Sequence, residues 1–172
     1  MVIAMTSNAA RIAQFVHIFL FALVVGVFWG TWFSLSRSIE SISPPTFLEI
    51  GHTMIANLGG PMAVLMPAAV LSAVPVLTGL YRRRRRRGFY LNLAGVALLL
   101  VSLTITLSVN VPIDHAIERW TVQTLPPDWT TIRDRWQAYH TSRTVVSLLG
   151  FGCALAAALW TSEDKRAGGA LA

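Results

Sequence analysis

Residues 128–160, DWTTIRDRWQAYHTSRTVVSLLGFGCALAAALW, decide the fold. The first half of this stretch is polar and the second half is apolar. Steps of four and three residues select one face of an α-helix, called the stripe below. Small residues let membrane helices approach closely, whereas intramembrane Arg and His need polar partners, so we predict one long helix that meets polar groups of other segments. The stripe runs from aromatic and cationic residues to small ones: Trp129, Arg133, Trp136, His140, Arg143, Ser147, Gly150, Ala154 and Ala157.

The composition indicates an integral membrane protein. The chain has 172 residues, 54% of them hydrophobic, and its mean hydropathy is +0.57. This is too apolar for an ordinary soluble domain, and several apolar runs are long enough to cross a bilayer. We predict an all-α membrane protein with one domain over residues 1–172. Its four spans lie at about 12–36, 62–81, 89–110 and 143–161, and helices 2, 3 and 4 extend into a polar cap on the non-cytoplasmic side.

Glycine and proline mark the expected irregularities. The segment Gly59-Gly60-Pro61 separates an amphipathic lead-in at 46–58 from the second span, and we predict a kink or turn there. Pro112 has no backbone N–H, so a bend is expected in the third helix. Gly26 and Gly30 form a close-packing pattern in the first span that also permits a homo-oligomer.

The basic residues predict the orientation. Six of the 14 Lys and Arg form one run at residues 82–87, between two apolar segments. With four spans, nine basic residues fall on the side of this run and five on the other, which predicts both termini in the cytoplasm. We expect an integral protein of a bacterial plasma membrane. Nucleic-acid binding is disfavoured despite the net charge of +6, because a basic run between spans usually sets topology.

The polar helix extensions supply the partners that the stripe requires. Asn110 and Asp114 follow the third span, and His140 and Arg143 precede the fourth, so these four side chains are expected to meet near the hydrocarbon boundary. One interpretation is a network that only holds the helices together. The other is a pocket for a small apolar aromatic ligand, with this cluster at its floor. Its expected walls are tryptophans: Trp29, Trp32, Trp129 and Trp136.

A metal site is a minority interpretation. Glu49-x-x-His52 has the carboxylate–histidine spacing of di-iron bundles, but such a site needs a second pair and further carboxylates. His140 is a third candidate ligand. Haem bound through His52 or His140 remains open, and the sequence specifies no cofactor. We find no P-loop, dinucleotide fingerprint, nucleophile elbow or CxxC motif.

The C-terminal third resembles a known family. The residues Asn110-Val-Pro-Ile-Asp114, followed by Pro127-Asp-Trp129-x3-Arg133-x2-Trp136-x3-His140-x2-Arg143-Thr144, are similar to the DUF1772 family. This family of small four-span membrane proteins includes the anthrone oxygenases of polyketide pathways. Asn57 and Pro61 look like a weaker family element. The family usually has a second asparagine where this chain has Asp114, so the chain adds a charge at that position.

The resemblance implies a four-helix membrane protein and, in the characterised branch, oxidation of an activated aromatic methylene to a carbonyl with molecular oxygen. Under that hypothesis His140 is the first candidate base and Asp114 the second. Arg143 or Arg133 would hold the enolate oxygen, with Asn110 as a further donor. The carbanion would then react with oxygen without a bound cofactor. The expected substrate-binding residues are Trp129, Trp136, Trp32 and Asn57.

Two other function classes stay open at this stage. One is a non-enzymatic scaffold or accessory subunit that binds a partner through its outer cap, and the other is a metal- or haem-binding redox subunit. The oxygenase predicts that Arg133, Trp136 and His140 converge on an enclosed cavity. The scaffold predicts that these residues are partly exposed or buried at a protein contact.

Overall fold

The chain folds as a bundle of long helices. The computed structural model describes residues 7–36 and 38–169, with side chains described within 8–36 and 38–160, and these ranges contain no strand. In chain order the elements are α1 (Ser7–Thr31), a first π-helical turn (Trp32–Ser36), a 3-10 turn (Ile39–Ser41), α2 (Pro44–Arg82), α3 (Arg86–Ile105), a second π-helical turn (Thr106–Asn110), α4 (Val111–Ile117) and α5 (Trp129–Gly169).

Four of these helical segments can cross a membrane. Their bounds are Asn8–Ser36, Pro44–Arg82, Arg86–Ile117 and Trp129–Trp160, and between 28% and 33% of each most apolar window is buried inside the protein. Most apolar side chains therefore face outward, as expected where lipid is the solvent. The all-α membrane fold class is confirmed. The observed helices are longer than the predicted spans, because their polar ends continue as regular helix.

The core lies where α1, α2, α3 and α5 meet. Phe21, Val24, Met66, Leu99 and Ala154 form its fully or almost fully buried centre. The most extensive contact in the bundle joins α3 to α5, whereas among the described residues α2 packs on α1 and α3 and hardly touches α5. A gap therefore opens beside the first half of α2.

Two glycines bring α3 and α5 into close contact. A Cβ atom built on Gly95 would lie 2.7 Å from the carbonyl oxygen of Gly150, and one built on Gly150 would lie 2.9 Å from that of Gly95. Ser147, Gly150, Ala154 and Ala157 are buried, so the small-residue end of the stripe is a helix-packing face, as predicted.

Gly95→Val should therefore separate α3 from α5. We expect the free energy of unfolding to fall by about 1–3 kcal/mol or more, because the new side chain meets backbone rather than a movable side chain. Thermal unfolding of detergent-purified protein measures this loss. Gly152→Val is the matched control, since nothing lies within 4 Å of a Cβ atom at Gly152. Equal melting temperatures for the two variants would contradict the close-packing role.

The close-packing pattern of the first span, Gly26 and Gly30, does not pack against any other described helix. Gly26 and Gly30 are exposed, and nothing lies within 4 Å of a Cβ atom built at either position. Phe28, which lies between them in the sequence, faces neighbouring helices instead and is 3% exposed. The two glycines thus leave an open groove on the outside of α1.

The turn predicted at Gly59-Gly60-Pro61 is wrong, because α2 is helical from Pro44 to Arg82. Three prolines lie inside this helix, at positions 61, 67 and 75. Prolines are tolerated in membrane helices where neighbouring groups satisfy the freed carbonyls. The amphipathic lead-in and the second span are consequently one element about 58 Å long, at 1.5 Å per residue.

The irregularity predicted at Pro112 is a π-helical turn immediately before it. Pro112 cannot donate to the carbonyl of residue 108, and its ring would clash with that carbonyl in a regular α-helix. Hydroxyl groups around the turn bond to backbone carbonyls instead. Thr106 Oγ1 donates to Ser102 O at 2.8 Å, and Ser108 Oγ donates to Thr104 O at 2.7 Å. The widened turn brings Thr106 and Asn110 to buried positions, as is common for π-helical turns at functional sites.

Candidate functional site

A cavity of about 670 Å³ lies at the end of the bundle opposite the arginine run. The first half of α2 forms one wall, and α1, α3, α4 and α5 contribute the others. Most of the lining is apolar, including Val27, Met54, Met66 and Leu103. Polar side chains converge at one part of the wall, where Thr106, Asp114, His140 and Arg143 reach the cavity.

Trp136 organises this polar wall. Its indole Nε1 donates a hydrogen bond to Asp114 Oδ1 at 2.7 Å, and its ring stacks on His140 with centroids 4.9 Å apart and an interplanar angle of 12°. Asn110, fully buried, donates from Nδ2 to the backbone carbonyl of Trp136 at 3.1 Å. The predicted meeting of the third and fourth helices thus runs through an indole, rather than through a direct Asp114–Arg143 contact.

His140 and Arg143, one helical turn apart, form a buried pair. Arg143 donates to His140 Nδ1 from Nε at 3.2 Å and from Nη2 at 3.0 Å, and from Nη1 to Thr106 Oγ1 at 3.1 Å. The guanidinium carbon also lies 4.5 Å from the ring centroid of Phe28. Each polar arm of the guanidinium is therefore held by a group inside the bundle.

The pairing assigns the histidine tautomer. Arginine has only donors, so His140 Nδ1 must be the acceptor and the ring proton must sit on Nε2. Nε2 is buried and makes no hydrogen bond to any described residue, although the carbonyl of Phe28 is near enough to interact with the ring. The Phe28 carbonyl does not complete a hydrogen bond of good geometry, and a poorly satisfied buried N–H is unfavourable. His140 can therefore donate to an acceptor that enters the site.

The site contains a cation, the Arg143 guanidinium, and an anion, the Asp114 carboxylate. The guanidinium of Arg143 is hydrogen-bonded to neutral acceptors, and it attracts the Asp114 carboxylate through space. A buried cation that lacks a bonded anion favours a negatively charged or strongly polarised oxygen nearby. The arrangement thus offers a carboxylate, a neutral imidazole N–H and a guanidinium at the edge of one apolar cavity.

Three residues predicted for the site lie elsewhere. Arg133 pairs with Asp134, at 2.8 Å from Nε and 2.7 Å from Nη2 to Oδ1. Its guanidinium also lies 5.2 Å from the ring centroid of Trp129, which in turn packs on Phe47 at 5.3 Å. Trp32 stacks with Trp29 at 5.2 Å. Neither Arg133, Trp129 nor Trp32 lines the cavity. Arg133 and Trp32 pack on neighbours outside it, and Trp129 packs behind the lining residue Phe47.

The remaining predicted residues are dispersed as well. Asn57 and Glu49 are exposed. His52 forms a hydrogen bond between its Nε2 and the carbonyl of Ile117 at 2.8 Å, which links α2 to α4. No group of three or more His, Cys, Asp or Glu in the described part of the chain could hold a metal ion. The spacing of Glu49 and His52 therefore does not build a preformed metal cluster within these residues.

Two residues of the site, Thr106 and Phe28, were not predicted from the sequence. Thr106 lies four residues before Asn110, as Asn110 does before Asp114, so extending that spacing by one turn would have found it. No spacing in the sequence links Phe28 to the other site residues. Phe28 reaches Arg143 only because α1 packs against α5, and periodicity along α1 cannot show that contact.

The match to a family model covers this whole cluster. The model described as anthrone oxygenase matches residues 53–153, which is more than half of the chain. The chain belongs to the anthrone oxygenase family. This membership confirms the DUF1772 resemblance, because the family corresponds to that anthrone oxygenase-like group. Comparison with curated proteins and with solved structures finds no significant match. Within the matched residues, this anthrone oxygenase family member carries the Asp114–Trp136–His140–Arg143 cluster.

Proposed function

We propose that this family member is a membrane-embedded oxygenase that converts the activated methylene of an anthrone-type aromatic to a carbonyl. The observation that carries the proposal is the convergence of Asp114, His140 and Arg143 on one mostly apolar cavity. Its volume of about 670 Å³ falls in the range of about 300–1,000 Å³ typical of small-molecule sites. A flat tricyclic substrate fits such a space and leaves its polar edge for these residues.

Arg143 and His140 are the proposed oxygen-binding groups. The carbonyl oxygen of an anthrone becomes an anion when the methylene loses a proton, because the charge delocalises through the ring. His140 Nε2–H, which completes no hydrogen bond of good geometry within the described residues, and the buried Arg143 guanidinium both donate to that oxygen. Their hydrogen bonds strengthen as the charge develops, which is the differential binding that accelerates a reaction.

Asp114 is the proposed base in this chain. The only free lone pair of a neutral imidazole is on the unprotonated nitrogen, and in His140 that nitrogen already accepts two donors from Arg143. The Asp114 carboxylate lines the cavity and uses Oδ1 for Trp136. A carboxylate has about four lone-pair sites, so it retains capacity to accept a proton. We therefore prefer Asp114 to His140, reversing the order that the sequence suggested.

The proposed reaction balances without another reductant. Asp114 removes one methylene proton, and the resulting carbanion donates an electron to O₂, after which carbon and oxygen combine as a peroxide. Protonation of the terminal oxygen by Asp114 gives a hydroperoxide. Loss of the second methylene proton and cleavage of the O–O bond release water and leave the carbonyl. The carbon loses four electrons, and O₂ gains four as carbonyl oxygen and water.

The scaffold alternative explains the site less well. It required Arg133, Trp136 and His140 to be partly exposed or buried at a protein contact. His140 is 1% exposed and, like Trp136, lines the cavity. Arg133 does not line it, and its role in substrate binding is not retained here. A partner-binding surface has no need for a buried imidazole donor inside an apolar chamber.

We further infer that the termini and the arginine run lie in the cytoplasm, so that the cavity lies at the outer leaflet of the plasma membrane. No described residue packs against Gly26 or Gly30, so this face of α1 is available for contact with a second copy of the chain. The lipid bilayer and a small apolar aromatic ligand are the expected partners.

An oxidation assay tests the proposed function. Protein in lipid nanodiscs, given an anthrone in air-saturated buffer, should form the corresponding anthraquinone with one O₂ consumed per product. We expect a rate about 10²-fold or more above that of empty nanodiscs, which measure autoxidation, since acid–base catalysis alone contributes about 10²–10⁴-fold. Absorbance and an oxygen electrode follow the two quantities. Rates equal to the empty-nanodisc control would refute the oxygenase proposal.

A further inference from the structure

The cavity wall is exposed on one side only. Eight of its lining residues are exposed, and all eight belong either to α2 or to the segment 107–118. The lining residues from α1 and α5 are all buried or half-buried. An exposed lining residue marks the rim of an opening. The mouth of the cavity therefore lies between the first half of α2 and the end of α3 with α4.

The mouth has an apolar part at the level of the hydrocarbon. Gly60 and Ala63 lie on α2 and Leu107 lies across from them. At 1.5 Å per residue, Gly60 and Ala63 stand about 33 and 28 Å above the arginine run, and Leu107 stands about 31 Å above it. These heights coincide with one another and with the far edge of a hydrocarbon layer about 30 Å thick.

The other part of the mouth is polar and higher. His115 and Glu118 are exposed lining residues, and the same rise places them about 43 and 48 Å above the arginine run. That is beyond the hydrocarbon and on the aqueous side of the headgroup region, which adds only about 5–8 Å on each face of the bilayer. The opening thus passes from the acyl layer through the interface along one side of the protein.

The glycines at the apolar part do not serve close helix packing. A Cβ atom built on Gly59 or Gly60 would have nothing within 4 Å, unlike the close Gly95–Gly150 pair. Glycine inside a helix is destabilising by about 0.5–1 kcal/mol relative to alanine. Two such residues without a packing role are explained by the space that they leave at the rim.

We propose that the substrate enters sideways from the bilayer, through an opening between α2 and α3 whose width is set by Gly60 and Ala63. This inference rests on the proposed function. The substrate class is a neutral, flat polycyclic phenol dissolved in the acyl layer. Its apolar rings pass Gly60, Ala63 and Leu107, while its hydroxyl groups point toward the interface, on the side of the mouth where His115 and Glu118 lie. The methylene then faces Asp114 and the carbonyl oxygen faces Arg143.

Gly60→Trp tests the opening. The new side chain has open space around its Cβ, so it narrows the rim without a steric clash in the helix. The association rate of a dihydroxyanthraquinone, a fluorescent product-like probe, should fall at least tenfold in nanodiscs. The kcat/KM for a tricyclic anthrone should fall similarly, whereas kcat at saturation should change less than twofold. Gly152→Trp is the matched control, because Gly152 is also exposed and unpacked but does not line the cavity.

Ala63→Phe provides a second variant if Gly60→Trp does not fold, which size-exclusion chromatography and thermal unfolding would reveal. A second probe distinguishes the route of entry, namely an anthraquinone sulfonate, which stays in water and does not dissolve in the acyl layer. Entry from the bilayer predicts that the sulfonate associates at least tenfold more slowly than the neutral probe and that Gly60→Trp does not slow it further. Equal association of the two probes, or neutral-probe association equal in Gly60→Trp, Ala63→Phe and Gly152→Trp, would overturn the opening. Slowed probe entry without any wild-type oxidation would refute the oxygenase while leaving the opening intact.

Discussion

Asp114→Asn is expected to lower kcat for anthrone oxidation by about 10²–10⁴-fold, the usual contribution of a general base. The amide keeps the shape of the carboxylate and a carbonyl oxygen that accepts from Trp136 Nε1, which now lies 2.7 Å from Oδ1. The variant therefore removes the proton acceptor and leaves the hydrogen bond that positions it. Steady-state turnover in nanodiscs measures the loss.

A matched control is available on the same bundle. Glu49→Gln also neutralises a carboxylate, but Glu49 is exposed and does not line the cavity, so turnover should remain within about twofold of wild type. Raising the pH until the anthrone ionises in solution should restore much of the Asp114→Asn rate, because the base step is then bypassed. Full activity of Asp114→Asn at neutral pH would assign the base role to His140, and would agree with the asparagine that the family usually has there.

Arg143→Gln should lower kcat/KM by about 10²–10³-fold, since removal of one donor to a developing oxyanion typically has that effect. The guanidinium is buried at 8% exposure, and its loss also removes donors from His140 Nδ1 and Thr106 Oγ1. Each acceptor left unsatisfied destabilises the fold by about 1–3 kcal/mol. Activity and melting temperature must therefore be measured together.

Two companion variants separate catalysis from stability. Arg135→Gln removes a charge from the exposed face of the same helix and should change neither property. Arg143→Lys keeps the charge but loses the planar fork that bonds His140 and Thr106 at once, so we expect an intermediate kcat/KM. If Arg143→Gln lowers the melting temperature but keeps wild-type kcat/KM, then Arg143 only holds the helices together.

Much of the fold was predictable because bilayers constrain sequence strongly. A span needs about 20 apolar residues, and its backbone must be helical to satisfy its own hydrogen bonds. The stripe on α5 was predictable for the same reason, since its residues follow helical periodicity. Seven of its nine members are buried, namely the polar residues Arg133, His140 and Arg143 and the four small residues from Ser147 onward. Of the kink or turn predicted at Gly59-Gly60-Pro61, the turn is wrong, because α2 is helical throughout this segment.

The candidate site was predictable only in part. Asn110, Asp114, Trp136, His140 and Arg143 were brought together as predicted. The walls predicted from Trp29, Trp32 and Trp129 were not, because an aromatic residue near a helix end can pack on any neighbour with an apolar face. Trp129 packs on Phe47 and Trp32 on Trp29. These choices depend on the rotation of each helix about its axis, which periodicity alone leaves undefined.

The sequence by itself determined that this protein crosses a membrane with four helices, and which face of α5 packs inside. Hydrophobicity and helical periodicity are local properties, so they can be read from neighbouring residues. Only the tertiary structure decided that the cavity opens beside α2, that Phe28 from α1 lies over Arg143, and that Arg143 occupies Nδ1 of His140. These features join residues far apart in the chain or depend on side-chain rotamers, and they follow from how whole helices pack against one another.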